Sequence, residues 1–160
     1  MNPPKQAFAL FFILFCNYSF GCSCIGKFKI RNEIAKHELI FSGKVLSKNE
    51  FPVEDSLSGI KLWNVEYEFE VKYIYKGEIV TDKVKVITGL GNGDCGFNFV
   101  LGKTYIVYSD FDDELISGEK RLRFVTTDIC TRTQEYSAKE DKKIRRIVKR
   151  KCKDTSGNTA

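Results

Sequence analysis

Only one histidine, His37, occurs in the 160 residues. A serine or cysteine nucleophile usually takes its proton acceptor from histidine. A catalytic zinc is usually held by several histidines, cysteines and carboxylates together. His37 has no such company in the sequence, so it reads as a surface residue of a short helix. Neither a bound metal nor any other cofactor is expected, and an enzymatic role is not expected either. Also missing is an apolar run of the ~20 residues that a membrane-spanning helix needs. The longest, "AFALFFILFC" (Ala7–Cys16), is about half that. No internal repeat is evident. Charge of one sign is not in large excess: the net charge is +5 and includes Lys5 near the N-terminus. The remaining side chains sum to about +4, which is not by itself a polyanion-binding signature.

Two patterns that could suggest chemistry read as structure. "GNGDCG" (Gly91–Gly96) matches G-x-G-x-x-G, but a dinucleotide site needs a helix to begin there. "FNFVLGKTYIVY" follows, which reads as strand, so the glycines are expected to turn a loop tightly around Cys95. The acidic cluster Asp110, Asp112, Asp113 and Glu114 reads as a solvated turn.

Residues 1–21 read as a signal peptide: a short apolar segment after Lys5, then Ser19 and Gly21 at the −3 and −1 positions of a cut before Cys22. The expected location is therefore secreted, or at least extracytoplasmic. Export favours disulfides. The mature chain keeps Cys22, Cys24, Cys95, Cys130 and Cys152, an odd number. A lipid on Cys22 would leave an even four and anchor the chain at the cell surface, the one case in which membrane contact is expected. Against this, Ser19 and Phe20 fit a lipidation signal poorly.

The remaining chain divides into residues 22–150, one domain, and 151–160, a flexible tail. "KIRNEIAKHEL" spaces Ile30, Ile34 and Leu39 as a short helix. "LIFSGKVLS" predicts a first strand and "KNEFPVEDSLSG" a polar loop. "KLWNVEYEFEVKYIYKG" alternates Val65, Tyr67, Phe69, Val71, Tyr73 and Tyr75 against Glu66, Glu68, Glu70 and Lys72, a long strand with one wet face. "DKVKVIT", "GKTYIVYSD" and "RLRFVTTDI" predict three more. Ser137 followed by Glu140 suggests a capping box. It opens a last helix with Ile144, Ile147 and Val148 as its apolar stripe. The expected fold is mainly β, a five-stranded OB-fold barrel with short flanking helices, stapled by disulfides.

The last helix carries Lys142, Lys143, Arg145, Arg146, Lys149 and Arg150, candidates for a polyanion. The plainer reading is a solvated face. Nucleic acid is not expected as a partner, because the aromatics of the long strand alternate with glutamates that would repel phosphate. Cys22 and Cys24 point to one side of an extended segment, and a bridge between them would be strained. Bridging Cys22 to Cys95 and Cys24 to Cys130 would rivet the N-terminus across the barrel, each bridge contributing roughly 3–5 kcal/mol by the chain-entropy argument. Spacing alone leaves other connectivities open.

These residues resemble a family. A "CSC" after a signal peptide, "LIFSGKVLS", the long strand into "YKG", "CGFNFVLGKTYIVY" and "FVTTDIC" follow the order seen in the tissue inhibitors of metalloproteinases, and more broadly in netrin-like modules. The resemblance covers about residues 22–150. It implies a monomeric inhibitor whose partner is a zinc metalloendopeptidase; the alternative is an extracytoplasmic netrin-type binding or adhesion module, anchored at Cys22 if that residue is lipidated. The α-amine and carbonyl of Cys22 would chelate the protease's zinc, and Ser23 would sit over its specificity pocket. The chain departs from the family in three respects. A third-bridge cysteine about ten residues after Cys24 is missing, which leaves Cys152 as the odd thiol. Ile25, Gly26 and Lys27 replace the usual proline-containing stretch. The animal inhibitors' C-terminal disulfide domain has no counterpart.

Overall fold

A computed structural model describes residues 22, 24, 28–54, 61–91, 93–112, 116–117, 120–121 and 124–156. The expected signal peptide and Ser23 lie outside the described residues. The chain is mainly β, with a helix near each end. In chain order, α1 (Ile30–Lys36) leads into β1 (Leu39–Glu54), β2 (Lys61–Lys76), β3 (Lys83–Gly89) and β4 (Thr104–Asp112). Four short strands follow: β5 (Ile116–Ser117), β6 (Lys120–Arg121), β7 (Phe124–Thr126) and β8 (Gln134–Glu135). Last comes α2 (Ala138–Ser156), which carries six residues into the segment expected as a tail.

Strand pairing returns on itself. β1 pairs with β2 and β2 with β3, both antiparallel. β3 pairs with β7 in parallel, β7 with β4 antiparallel, and β4 with β1 antiparallel over Leu39–Lys44. β8 adds to the start of β4, and β5 with β6 forms a separate ribbon.

β1 is longer than its sequence suggests. Lys48–Glu54, expected as loop, stays in register with the first part of β2, from Lys48↔Tyr67 to Glu54↔Lys61. Val45 still bonds Gly102 and Lys103 on its other side. Beyond it, β1 has no strand partner on that side among the described residues. Pro52 is therefore tolerated, because its missing N–H falls where no ladder bond is needed. The alternation of β2 also breaks. Phe41 opposes Ile74 and Ile40 opposes Lys76, so Tyr75 is an extra, bulged residue, and a second shift falls between Ser42 and Gly43. A bulge re-aims the side chains that follow it. Val65, Tyr67 and Phe69 enter one core with Ile74 packed against it, whereas Tyr75 joins the other. Tyr73, expected inside, is exposed.

Two apolar clusters result. The larger lies on one face of the strands and includes Leu39, Phe41, Val45, Val86, Phe99, Tyr105 and Val107. The rings of Tyr67, Phe69 and Tyr105 meet Phe99 edge-on at about 5 Å, a favoured aromatic geometry. The smaller cluster, Ile34, Ile40, Tyr75, Ile106, Tyr108 and Ile144, joins both helices to the opposite face of β1 and β4. Ile147 and Val148 pack against it, as the stripe on α2 predicts.

The expected fifth strand, 121–129, contributes only Phe124–Thr126 to the ring. Beyond it, hydroxyls take over from the ladder. Thr127 Oγ1 donates to the Tyr108 carbonyl at 2.8 Å, and Thr133 Oγ1 accepts the Tyr108 N–H at 3.0 Å.

Candidate functional site

The site begins with a loop that needs glycine. β3 ends at Gly89, and the chain doubles back on itself by Gly96. A Cβ on Gly96 would lie 2.0 Å from the Gly89 carbonyl oxygen, so no other residue fits that approach. Gly91 and Gly93 take φ of 80° and 103°, and Cys95 itself sits at 61°, a region that non-glycine residues seldom occupy. The Asp94 carboxylate holds the turn, accepting N–H bonds from Leu90 at 2.6 Å, Gly91 at 2.7 Å and Gly96 at 3.2 Å. Burial pushes its carboxyl up, but these backbone donors outweigh that and hold it below the usual range. The glycine pattern thus turns the chain around Cys95, as its sequence context suggests.

Two disulfides meet at this end of the strands. Cys22 bonds to Cys95, with Cα atoms 5.5 Å apart, and Cys24 bonds to Cys130, at 5.1 Å. Cys22 Sγ also rests 3.5 Å from the Gly93 carbonyl oxygen. The two receiving loops are tied to each other, since the Ile129 N–H donates to the Cys95 carbonyl at 3.0 Å. Asp128 Oδ1 accepts the Cys130 N–H at 2.7 Å, fixing the second loop.

A third tether has no counterpart among the sequence expectations. Arg132 donates to the Phe28 carbonyl at 2.6 Å, four residues past Cys24. Its other guanidinium nitrogens grip Glu140 of α2, Nη2 reaching Oε2 at 2.9 Å. Tyr108 Oη donates to the same carboxylate at 3.1 Å. Burial raises the Glu140 carboxyl, but Arg132 and Tyr108 outweigh it and hold it below the usual range. Burial, together with the Glu140 charge, pushes the Tyr108 hydroxyl far up. Glu140 therefore faces inward and does not serve the expected capping box. The only sequence signal for this network is an arginine placed two residues after Cys130.

The segment from Cys22 to Phe28 is thus fastened at three points to loops that leave β3 and β7. Apolar side chains stand exposed nearby. Ile129, exposed, directly precedes Cys130 in the second loop, and Trp63, half exposed, precedes Asn64, the partner of Gly89. Ser23 cannot be placed, because it is outside the described residues.

Other candidates fall elsewhere. His37 is 1 % exposed, not a surface residue. Its Nδ1 lies 2.7 Å from Asp110 Oδ2 and its Nε2 3.2 Å from Glu33 Oε2. Both ring nitrogens are occupied, so it fastens α1 to β4 and faces no substrate. Asp110 also accepts the Glu38 N–H at 2.9 Å. Asp110 and Asp112 are thus strand residues and not a solvated turn, while Asp113 and Glu114 lie outside the described residues. A cleft of about 730 Å³ beside Phe51, Ile79, Phe111 and Phe124 is lined by no cysteine, histidine or serine. None of residues 22, 24, 93–96 or 128–131 borders it.

Of the six polyanion candidates on α2, five are exposed: Lys142, Lys143, Arg146, Lys149 and Arg150. Arg145 is not free. It forks onto both Asp141 oxygens at 2.9 Å and lies 3.5 Å over the Tyr73 ring. Cys152 falls within α2. No grouping of three or more His, Cys, Asp or Glu suited to a metal ion occurs among the described residues. No described helix is long and apolar enough to cross a membrane. Two disulfides fit an oxidising location. No protein-family model matches the chain, and no curated protein matches it.

Proposed function

We propose that the chain, cut before Cys22, is a secreted, single-domain and non-enzymatic inhibitor of zinc metalloendopeptidases, similar to the tissue inhibitors of metalloproteinases. In this reading the Cys22 α-amine and carbonyl chelate the partner's zinc and displace the water that performs hydrolysis. Ser23 enters the specificity pocket, and Ile129 and Trp63 provide apolar flanks. The strand ring is taken as an OB-type barrel, its meander β1–β2–β3 closed by β7 and β4.

One observation carries the proposal: Cys22 and Cys24 are bonded to two different loops that are themselves joined through Ile129 and Cys95. Such fastening fixes a chelating N-terminus in its bound shape beforehand, which lowers the ordering cost of association. The same observation weighs against a lipid anchor. The sulfur bonded to Cys95 has no valence left for a thioether.

Intact mass with N-terminal sequencing tests the start, and inhibition assays on a panel of zinc endopeptidases test the activity. An alanine inserted before Cys22 should weaken inhibition at least about a hundredfold, roughly 3 kcal/mol, with melting temperature and disulfides unchanged. Zinc takes only the neutral amine, whose pKa is about 7.7–8.0. Affinity should therefore rise as pH climbs through that range and fall below it. A lipidated Cys22, or undiminished inhibition by the extended variant, refutes the mechanism.

A further inference from the structure

The outer face of α2 carries a charge pattern that the inhibitor reading does not use. Between Lys142 and Arg150 the sequence has six cations and no acid. The two acids at the start of the helix, Glu140 and Asp141, are buried and committed to Arg132, Tyr108, Tyr75 and Arg145. The exposed cations from 142 to 150 therefore have no exposed carboxylate among them, although Lys143 is close enough to Glu140 to help lower its carboxyl. Lys143, Arg146 and Arg150, at i, i+3 and i+7, form one stripe about 10 Å long at ~1.5 Å per residue. α1 supplies a facing cation, Arg31. Together these four line a groove of about 250 Å³ whose remaining lining is Ile30 and Ile147.

From this geometry we infer a binding groove between α1 and α2 for a linear sulfated polysaccharide, held by Arg31, Lys143, Arg146 and Arg150. The inference stands independently of the inhibitor proposal. Guanidinium forks suit the oxygens of a sulfate ester, which they can grip with paired charge-assisted hydrogen bonds. A groove of this size seats substituents along one side of a polymer and does not enclose it. Two other anionic partners fit less well. A single-stranded nucleic acid would want aromatic stacking surfaces. None lines the groove, and the Tyr73 ring beneath α2 is covered by Arg145. A bilayer would want apolar side chains projecting from the exposed face. Ile30 and Ile147 are half-buried, and the exposed positions from 142 to 150 are all cations.

The test is titration of the disulfide-intact protein with a heparin-type sulfated hexasaccharide at about 0.15 M salt. Its chemically desulfated form, a single-stranded oligodeoxynucleotide and phosphatidylserine vesicles serve as competing probes. The double variant Arg31→Glu/Arg146→Glu should lose about tenfold or more in affinity, the equivalent of one charge-assisted contact. Arg31→Gln/Arg146→Gln should lose less but still measurably, and guards against a folding artefact of charge reversal. Lys61→Glu, at the far end of β2, makes a single charge reversal away from the groove and should change affinity less than about twofold. Equal binding of the desulfated sugar, tighter binding of the oligonucleotide or the vesicles, or a loss from Lys61→Glu as large as from the double variant would overturn the assignment.

Discussion

Glu140 joins three parts of the molecule with one carboxylate: α2, β4 through Tyr108, and the segment after Cys130 through Arg132. Because its carboxyl is held below the usual range, its contribution is present above the ordinary carboxylate pKa of about 4.3. That contribution is lost as pH falls through the depressed value. Glu140→Gln should destabilise the protein at pH 7 by about 2–4 kcal/mol, discounted for the partial exposure of Arg132. The difference from the parent should shrink toward zero in acid. Urea melts across a pH series check both the size and the sign. None of this network was legible, because a glutamate three residues after a serine gives the same local signal whether it caps a helix or is drawn inward by a distant arginine. His37 teaches the same lesson. Its burial depends on Asp110, 73 residues away in the chain, and a lone histidine in a helix-like stretch carries no trace of that partner.

Among the elements, the loop 89–96 follows most directly from its residues. Its glycines and Asp94 make one turn possible and exclude most others. Gly96→Ala should destabilise by at least about 2 kcal/mol, since backbone must move to admit the methyl group. It should also slow formation of the Cys22–Cys95 bond. Thermal melting and free-thiol titration after refolding measure the two effects. Strand β2 was readable up to Val71, where strict alternation gives way at the bulges. A bulge is set by the pairing of two strands and leaves little mark in either one alone. The second half of β1 was hidden for a related reason. Lys48, Asn49, Glu50 and Pro52 look like loop residues, yet β2 holds them on one side, and among the described residues no strand pairs on the other, where polar side chains and a proline cost little.

At the scale of the whole molecule, the mainly β character and the terminal helices were legible from period and composition. The parallel contact of β3 with β7, only Val86↔Val125 and Ile87↔Thr126, was not. The bridges were suggested by cysteine count and placement, and the structure selects Cys22–Cys95 and Cys24–Cys130 from the connectivities that spacing left open. Cys24–Cys130 spans 106 residues and closes over seven of the eight strands among the described residues. Replacing both cysteines by serine should cost about 4–5 kcal/mol by the loop-entropy estimate. Guanidinium melts of that variant should show the loss with little change in the far-ultraviolet circular dichroism spectrum, because the ring is held by its own ladders.

The long bridge has a topological consequence as well. Every peptide bond between Cys24 and Cys130 lies inside a covalent circle. A single cut there, for example in the β1–β2 connection at 55–60, opens the circle without releasing a fragment. For a chain proposed to engage proteases, nicking and loss become separate events: the clipped molecule stays in one piece, one water heavier, until a reductant parts it.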